Sequence, residues 1–257
     1  MNNNKPKLVD VANLAGVSVT TASQVIRGVG RISEATAIKV RHAAQQLNYI
    51  PNARAASMRS GTNNEIGFVI NQISNPFNAE VISGASDRLE EAGYLLSVLD
   101  ARDNADRQER QIRAFIKSGR AGLIWVPAAK TKRGIYDLLR SQRVPTVTFL
   151  RSPTFSGFDH IGIANFEATS KATHHLLSLG HTKIAYFGGT NMTNVRKERI
   201  EGYRQTLTNA TGSTTIIWDC EDNRLAGLNA VIELRNKHPD VTALVCNGDN
   251  VALGAEM

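Results

Sequence analysis

The stretch DVANLAGVSVTTASQVI, residues 10–26, reads as two short helices joined by a tight turn. Val9 to Ala15 forms the first, with Val11, Leu14 and Ala15 expected to face inward. Ala15-Gly16-Val17 breaks it, because glycine tolerates the backbone of a tight turn. Ser18 is placed to cap the second helix, Val19 to Ile26, which sets Ala22, Val25 and Ile26 on one face and Val19, Thr20, Ser23 and Gln24 on another. Helices joined in this way form a helix-turn-helix, whose second helix enters the DNA major groove with its N-terminal residues on base edges. Val19, Thr20 and Gln24 are the expected base readers, with Thr21 and Ser23 as further DNA contacts. Glutamine pairs bidentately with adenine, and Val or the Thr methyl meets the thymine methyl, so A·T-containing positions are the expected targets.

Outward from this pair, Ser33 caps a third helix over about Glu34 to Leu47, with Ile38, Ala44 and Leu47 expected inside and Tyr49-Ile50-Pro51-Asn52 ending it. Residues 53–60, ARAASMRS, favour helix but carry a single large apolar side chain, Met58. Such a segment buries no face alone and is expected to act as a hinge. Charge agrees with this division. Residues 1–61 hold eight basic and two acidic side chains, leaving 22 basic and 21 acidic over the other 196, so nearly all of the net +7 belongs to the first segment. A small basic module on a near-neutral body suits binding to the phosphate backbone.

These residues resemble the headpiece of the LacI/GalR family: DVANLAGVSVTTASQVI, then GRISEATAIKVRHAAQQLNYIPN, then ARAASMRSG. The GRIS turn, Gly30 to Ser33, is most similar to the maltose-regulon repressor branch. The resemblance implies a palindromic double-stranded operator read by a homodimer, with Asn52, Ala55, Met58 and Arg59 of the hinge also touching DNA and Met58 as a wedge in the minor groove. Two residues depart from the family. Lys7 stands where a capping Thr is usual, so the first helix is expected to start loosely. Gln24 stands where arginine is usual, which argues against a lactose-type operator.

From Glu65 onward apolar runs alternate with helical patterns. Strands are expected near 65–70, 94–99, 121–126 and 144–149, with helices near 77–92, 106–118 and 133–141. After a break at Arg151 to Asp159, a second series has strands near 160–163, 183–187, 214–218 and 241–246 and helices near 166–179, 196–209 and 224–236. The reading is two α/β lobes with parallel sheets, and ligands of such sheets bind beyond the carboxyl ends of the strands. The first lobe then offers Asn71 to Phe77, including Asn75 and Phe77, with Asp100, Arg102 and Phe149. The second offers Asn165, Arg199, Trp218, Asp219 and Asp249. Amides, carboxylates and arginine around aromatics suit a sugar or sugar phosphate as small-molecule effector.

HHLLSLGHTKIAYFGG and VRKERIEGYRQTL match second-lobe segments of the same family, whose core is similar to periplasmic sugar-binding proteins. Arg199 falls on the family's effector-contacting arginine, whereas Cys246-Asn247-Gly248-Asp249 departs from its usual Asn-Asp. The expected organisation is a headpiece over 1–51, a hinge and linker over 52–64 and a core over 65–257. The run 249–254 reads as the start of a helix near the last residue, so the second lobe is expected to be incomplete.

Other classes fit poorly. Gly188-Gly189 lacks the G-x-G-x-x-G pattern, and neither a Walker lysine motif nor a G-x-S-x-G elbow occurs, so no catalytic role and no cofactor are expected. Adjacent His174 and His175 diverge on a helix and His181 stands apart, so no metal site is expected. Cys220 and Cys246 have no C-x-x-C spacing and read as buried free thiols. No run is long and apolar enough for a membrane span, and MNNNKPKLVD has no signal-peptide core, so the expected location is the cytoplasm. The rival reading is a solute-binding protein or sugar-processing enzyme with an incidental basic arm.

Overall fold

A computed structural model describes residues 5–51, 63–155, 157–190 and 193–257. Asn52, Ala55, Met58 and Arg59 lie outside the described residues. The chain divides into two compact units, Met1–Asn63 and Asn64–Met257.

The first unit contains α1 (Leu8–Ala15), α2 (Val19–Arg27) and α3 (Glu34–Gln46). Val11, Ala12, Ala22, Val40, Ala43 and Ala44 form its buried centre, with Val25, Ile26, Leu47 and Tyr49 packed around them. The inward faces differ from the sequence expectation at two positions, because Leu14 is 52% and Ile38 57% exposed. Alanines explain the shift. Ala12 and Ala37 carry side chains short enough to let the helices approach closely, so the buried stripe runs through them and the bulkier neighbours turn outward.

Caps hold the three helices. Ser18 Oγ accepts from the Thr21 N–H at 3.1 Å and Ser33 Oγ from the Thr36 N–H at 3.4 Å. Gly16 closes α1 at φ 67°, ψ 37°, a left-handed conformation costly for other residues, and its N–H turns back to the Ala12 and Asn13 carbonyls. The loose start expected from Lys7 is offset by Asp10, whose Oδ2 accepts from the Lys7 backbone N–H at 2.8 Å. That bond is one half of a capping box, and it sets a carboxylate at the positive end of the helix dipole.

The second unit begins with a sheet ordered β2-β1-β3-β4-β5. Its strands are β1 (Glu65–Ile70), β2 (Leu95–Asp100), β3 (Gly122–Trp125), β4 (Thr146–Phe149) and β5 (Asp159–Ile161), all paired in parallel. The crossovers are α4 (Pro76–Glu91), α5 (Ala105–Lys117) and α6 (Arg133–Ser141). A second sheet, β7-β6-β8, is also parallel: β6 (Ile184–Phe187), β7 (Ile216–Trp218) and β8 (Ala243–Cys246). Around it lie α7 (Asn165–Ser178), α8 (Asn194–Thr211), α9 (Arg224–Lys237) and α10 (Asp249–Glu256).

One strand changes lobes relative to the sequence reading. The strand expected to open the second series, β5, instead pairs with β4, with Val147 opposite Asp159 and Phe149 opposite Ile161. Parallel neighbours normally need a helical crossover. Here the segment 150–158 supplies the packing itself: Phe155 meets Tyr136 edge-on at 5.1 Å between ring centroids, and Phe158 meets Trp125 edge-on at 6.4 Å.

Two glycines set how closely layers approach. A Cβ on Gly67 of β1 would lie 2.4 Å from the Phe115 ring of α5, and one on Gly202 of α8 would lie 2.3 Å from the Phe166 carbonyl oxygen of α7. Both layers are therefore fitted to the absence of a side chain.

Candidate functional site

The first candidate surface is the start of α2. Val19 is 45% exposed and Thr20 is exposed beside it, while Ala22 behind them is buried. Thr21, Ser23 and Gln24 are half-buried. The Thr21 hydroxyl contacts Ser18 Oγ at 2.9 Å, so it helps fix the cap from which the readers project. Gln24 rests against the turn that follows α2, where a Cβ on Gly30 would come within 3.2 Å of its carboxamide carbon. At its far end Arg27 Nε donates to the Ser23 carbonyl at 3.4 Å.

The second candidate is a cleft of about 830 Å³ at the carboxyl ends of the strands, walled by both lobes of the second unit. From the first lobe it takes Asn71, Gln72, Asn75 and Phe77 after β1, Asp100 and Arg102 at the end of β2, and Arg151 after β4. From the second it takes Gly189 after β6, Arg196 and Arg199 on α8, Asp222 after β7, and Asn247 and Asp249 after β8.

Local structure fixes the first wall. Asn75 caps α4, its Oδ1 accepting from the Phe77 N–H at 3.1 Å, and Pro76 needs no such partner. Asn78, 2% exposed, fastens the loop by donating to Asn71 Oδ1 at 3.1 Å and the Gln72 carbonyl at 2.6 Å. Arg151 grips Asp103 with both Nη1 and Nη2, and Nη1 also donates to the Pro127 carbonyl at 3.2 Å.

A denser polar network makes the second wall. Arg196 is 4% exposed, donates to Asp219 Oδ1 at 2.5 Å and to the Gly188 carbonyl at 3.3 Å, and lies 5.9 Å from the Tyr186 ring centroid. Gly189 admits this packing. Its φ is +76°, and a Cβ there would come within 2.8 Å of Arg196 Nε and 3.0 Å of Asn247 Cγ. Arg199 Nε donates to Asn165 Oδ1 at 2.9 Å, and its Nη1 to the Asn247 carbonyl. Asn247 Oδ1 accepts from the Tyr186 hydroxyl at 2.8 Å and its Nδ2 donates to Asp222 Oδ2 at 3.0 Å. Burial pushes the Tyr186 hydroxyl up to about 12, although Arg199 and Arg196 oppose the rise. It pushes the Asp222 carboxyl upward too, against the Asn247 hydrogen bond and Arg199.

Of the residues expected from sequence, Asn75, Phe77, Asp100, Arg102, Arg199 and Asp249 line the cleft. Three expected contacts stand elsewhere. Phe149 backs Phe77, the rings stacked 8° from parallel at 6.1 Å, so it supports the wall. Asn165, 3% exposed, sits behind Arg199 and holds it through Oδ1 while donating to the Ile163 carbonyl at 3.0 Å. Trp218 packs in the second-lobe core with Ala230 and Leu234, its ring 5.9 Å from His238, because strand alternation turns it toward α9. Asp219 follows it outward, 61% exposed, as the partner of Arg196.

Sequence reasoning missed Arg196, Asp222 and Asn247 as lining groups. Arg196 precedes Arg199 by one helical turn and shares its face, a spacing that marks it once Arg199 is placed. Burial pushes both Cys220 and Cys246 up to about 11, which keeps these free thiols protonated and unreactive. Among the described residues no cluster suited to a metal ion occurs, and no helix is long and apolar enough to cross a membrane.

The model for bacterial regulatory proteins of the lacI family matches residues 7–52, and that for periplasmic binding proteins and the sugar binding domain of the LacI family matches residues 63–257. The maltose regulon regulatory protein MalI of Escherichia coli K12 is 29% identical over 248 residues, covering 96% of this chain and 72% of MalI. The HTH-type transcriptional repressor PurR of Aliivibrio salmonicida is 31% identical over 248 residues, covering 96% of this chain and 74% of PurR. Among solved structures, the Lac repressor dimer bound to operator and the anti-inducer ONPF superposes with a TM-score of 0.83 at 24% identity, over 98% of this chain and 76% of that one. The complex of the regulator CelR with cellobiose superposes at 0.67 with 26% identity, over 98% and 76%. A DNA-reading helix-turn-helix followed by a sugar-binding-type α/β core, both matched along their lengths, makes this chain a DNA-binding transcriptional regulator of the LacI family and not an enzyme.

Proposed function

We propose that this regulator acts in the cytoplasm as a homodimeric repressor of a carbohydrate-utilisation operon. Two α2 helices read the halves of a palindromic operator through Val19, Thr20, Ser23 and Gln24, and the hinge residues Asn52, Ala55, Met58 and Arg59 complete the contact. A sugar taken into the cleft by Asn75, Phe77, Asp100, Arg199 and Asp249 shifts the lobes between two states of different operator affinity. A ligand preferring one state by about 1–3 kcal/mol changes that affinity by about 5- to 150-fold. The observation that carries this reading is the coexistence in one chain of an exposed polar recognition face and a two-walled polar cleft lined by Arg199. The names of MalI and of the CelR–cellobiose complex point to sugars as the first ligands to try.

Selection from random duplex DNA with the full chain, compared with a chain lacking residues 1–61, tests the DNA half. A palindrome enriched only by the full chain is expected, and no enrichment, or equal retention by the shortened chain, overturns it. A sugar that raises the melting temperature and alters operator binding is expected for the cleft, and a sugar that binds without altering operator affinity refutes the regulatory link.

A further inference from the structure

Asp222 is a lining carboxylate with an unmet need. Its Oδ2 accepts from Asn247 Nδ2 at 3.0 Å, whereas its Oδ1 is buried and accepts from none of the described residues. A buried carboxylate oxygen without a donor is costly, and in a binding site it points to a donor that arrives with the ligand. Arg199 is near enough to act on the Asp222 charge, yet both of its described hydrogen bonds go to neutral oxygens, Asn165 Oδ1 and the Asn247 carbonyl. The cleft therefore holds an acceptor and a donor of opposite charge that do not neutralise each other directly.

We propose that Asp222 is a specificity determinant that selects unphosphorylated, hydroxyl-rich ligands, accepting hydrogen bonds from sugar hydroxyls while Arg199 donates to the same ligand. The inference rests on the sugar-binding role proposed for the cleft. A hydroxyl both donates and accepts, so a polyhydroxylated ring serves both groups at once. A phosphate ester only accepts when ionised and carries charge of the sign that Asp222 repels.

The remaining charges point the same way. Arg151 is held by Asp103, Arg196 by Asp219, and Arg102 lies 3.6 Å from Asp100. Glu221 and Asp249 add two further carboxylates to the lining. An incoming phosphate thus meets arginines already paired with carboxylates and additional negative charge. A zwitterionic amino acid also offers a donor and an acceptor, but about 830 Å³ walled by Asn71, Gln72, Asn75 and Asn223 suits a larger ligand with many hydroxyls.

Calorimetric titration of the full chain tests this with matched pairs: glucose and glucose 6-phosphate, fructose and fructose 1-phosphate, trehalose and trehalose 6-phosphate, with maltose, cellobiose and glutamate added. A neutral sugar is expected to bind at least about tenfold tighter than any phosphate ester, and Asp222→Asn to weaken that sugar by about tenfold or more. Without ligand, D222N is expected to melt no lower than the parent, because it removes a buried charge that lacks a donor. Esters binding as tightly as neutral sugars, glutamate binding in their place, or a D222N chain that keeps its sugar affinity each overturns the inference while leaving a functional cleft. A D222N chain that melts well below the parent overturns it in favour of a purely structural carboxylate. Binding of no sugar or ester overturns the sugar-binding role and this inference with it.

Discussion

In the headpiece, the side chains placed to read bases and the serine that caps them fall within residues 18–24, on a single helix start whose geometry is set by its own neighbours. The cleft draws on residues from Asn71 to Asp249, brought together at the ends of strands from two separate sheets. The headpiece core is small and alanine-rich, and its polar face is mostly solvated. The cleft wall is a hydrogen-bonded chain in which Tyr186, Asn247, Asp222, Arg199 and Asn165 each depend on the next. A local reader tolerates change in its bases' partners without losing its shape, whereas a cooperative polar wall transmits the loss of one member to the others.

The largest expected effect tests whether the two regions stand independently. Val40 is fully buried in the headpiece, so Val40→Asp places an unpaired carboxylate among alanines at a cost of several kcal/mol. Specific DNA binding is expected to vanish while sugar binding and the main melting transition persist; a matching fall in core stability breaks the contrast. Next, Gly202→Ala drives a methyl into the Phe166 carbonyl and is expected to cost about 1–3 kcal/mol, lowering the core melting temperature by roughly 3–10 °C. DNA binding at a temperature below that transition is expected to survive.

Gln24→Ala removes one reader without disturbing packing, and the expected loss of specific operator affinity is about 10- to 100-fold, with non-specific binding nearly unchanged. Fluorescence anisotropy on operator and scrambled duplexes measures both, and equal losses on the two would show that Gln24 does not read bases. The smallest effect is a gain. Lys7→Thr adds a side-chain acceptor opposite the existing Asp10 bond, completing a capping box worth about 0.5–1 kcal/mol in headpiece stability, readable by denaturant titration.

How much of the fold was legible follows the same division. Ser18, Gly16 and Ser33 announce helix boundaries because caps act over one turn, and they stand where the sequence places them. The strands and helices of the core fall within a few residues of the expected runs, because each is amphipathic or apolar on its own. The lobe to which β5 belongs was not legible. Its three exposed residues carry no pattern, and its place depends on Phe155 and Phe158 filling the space a crossover helix would occupy. Leu14 and Ile38 misled for a related reason: hydrophobicity ranks them inside, whereas the closest helix approach goes through alanine.

The sequence by itself determined a basic helix-turn-helix joined to an α/β core, together with the family, since propensity, capping and charge are properties of neighbouring residues. It also placed Asn75, Phe77, Asp100, Arg199 and Asp249 at strand or helix ends, where such sheets hold their ligands. Only the tertiary structure decided that Trp218 turns into the core, that Arg196 is sealed against Asp219 and Gly188, and that Asp222 faces the cleft with one oxygen unserved. Those outcomes depend on which distant residues share a space and on the cost of burying charge there, and no local pattern encodes either.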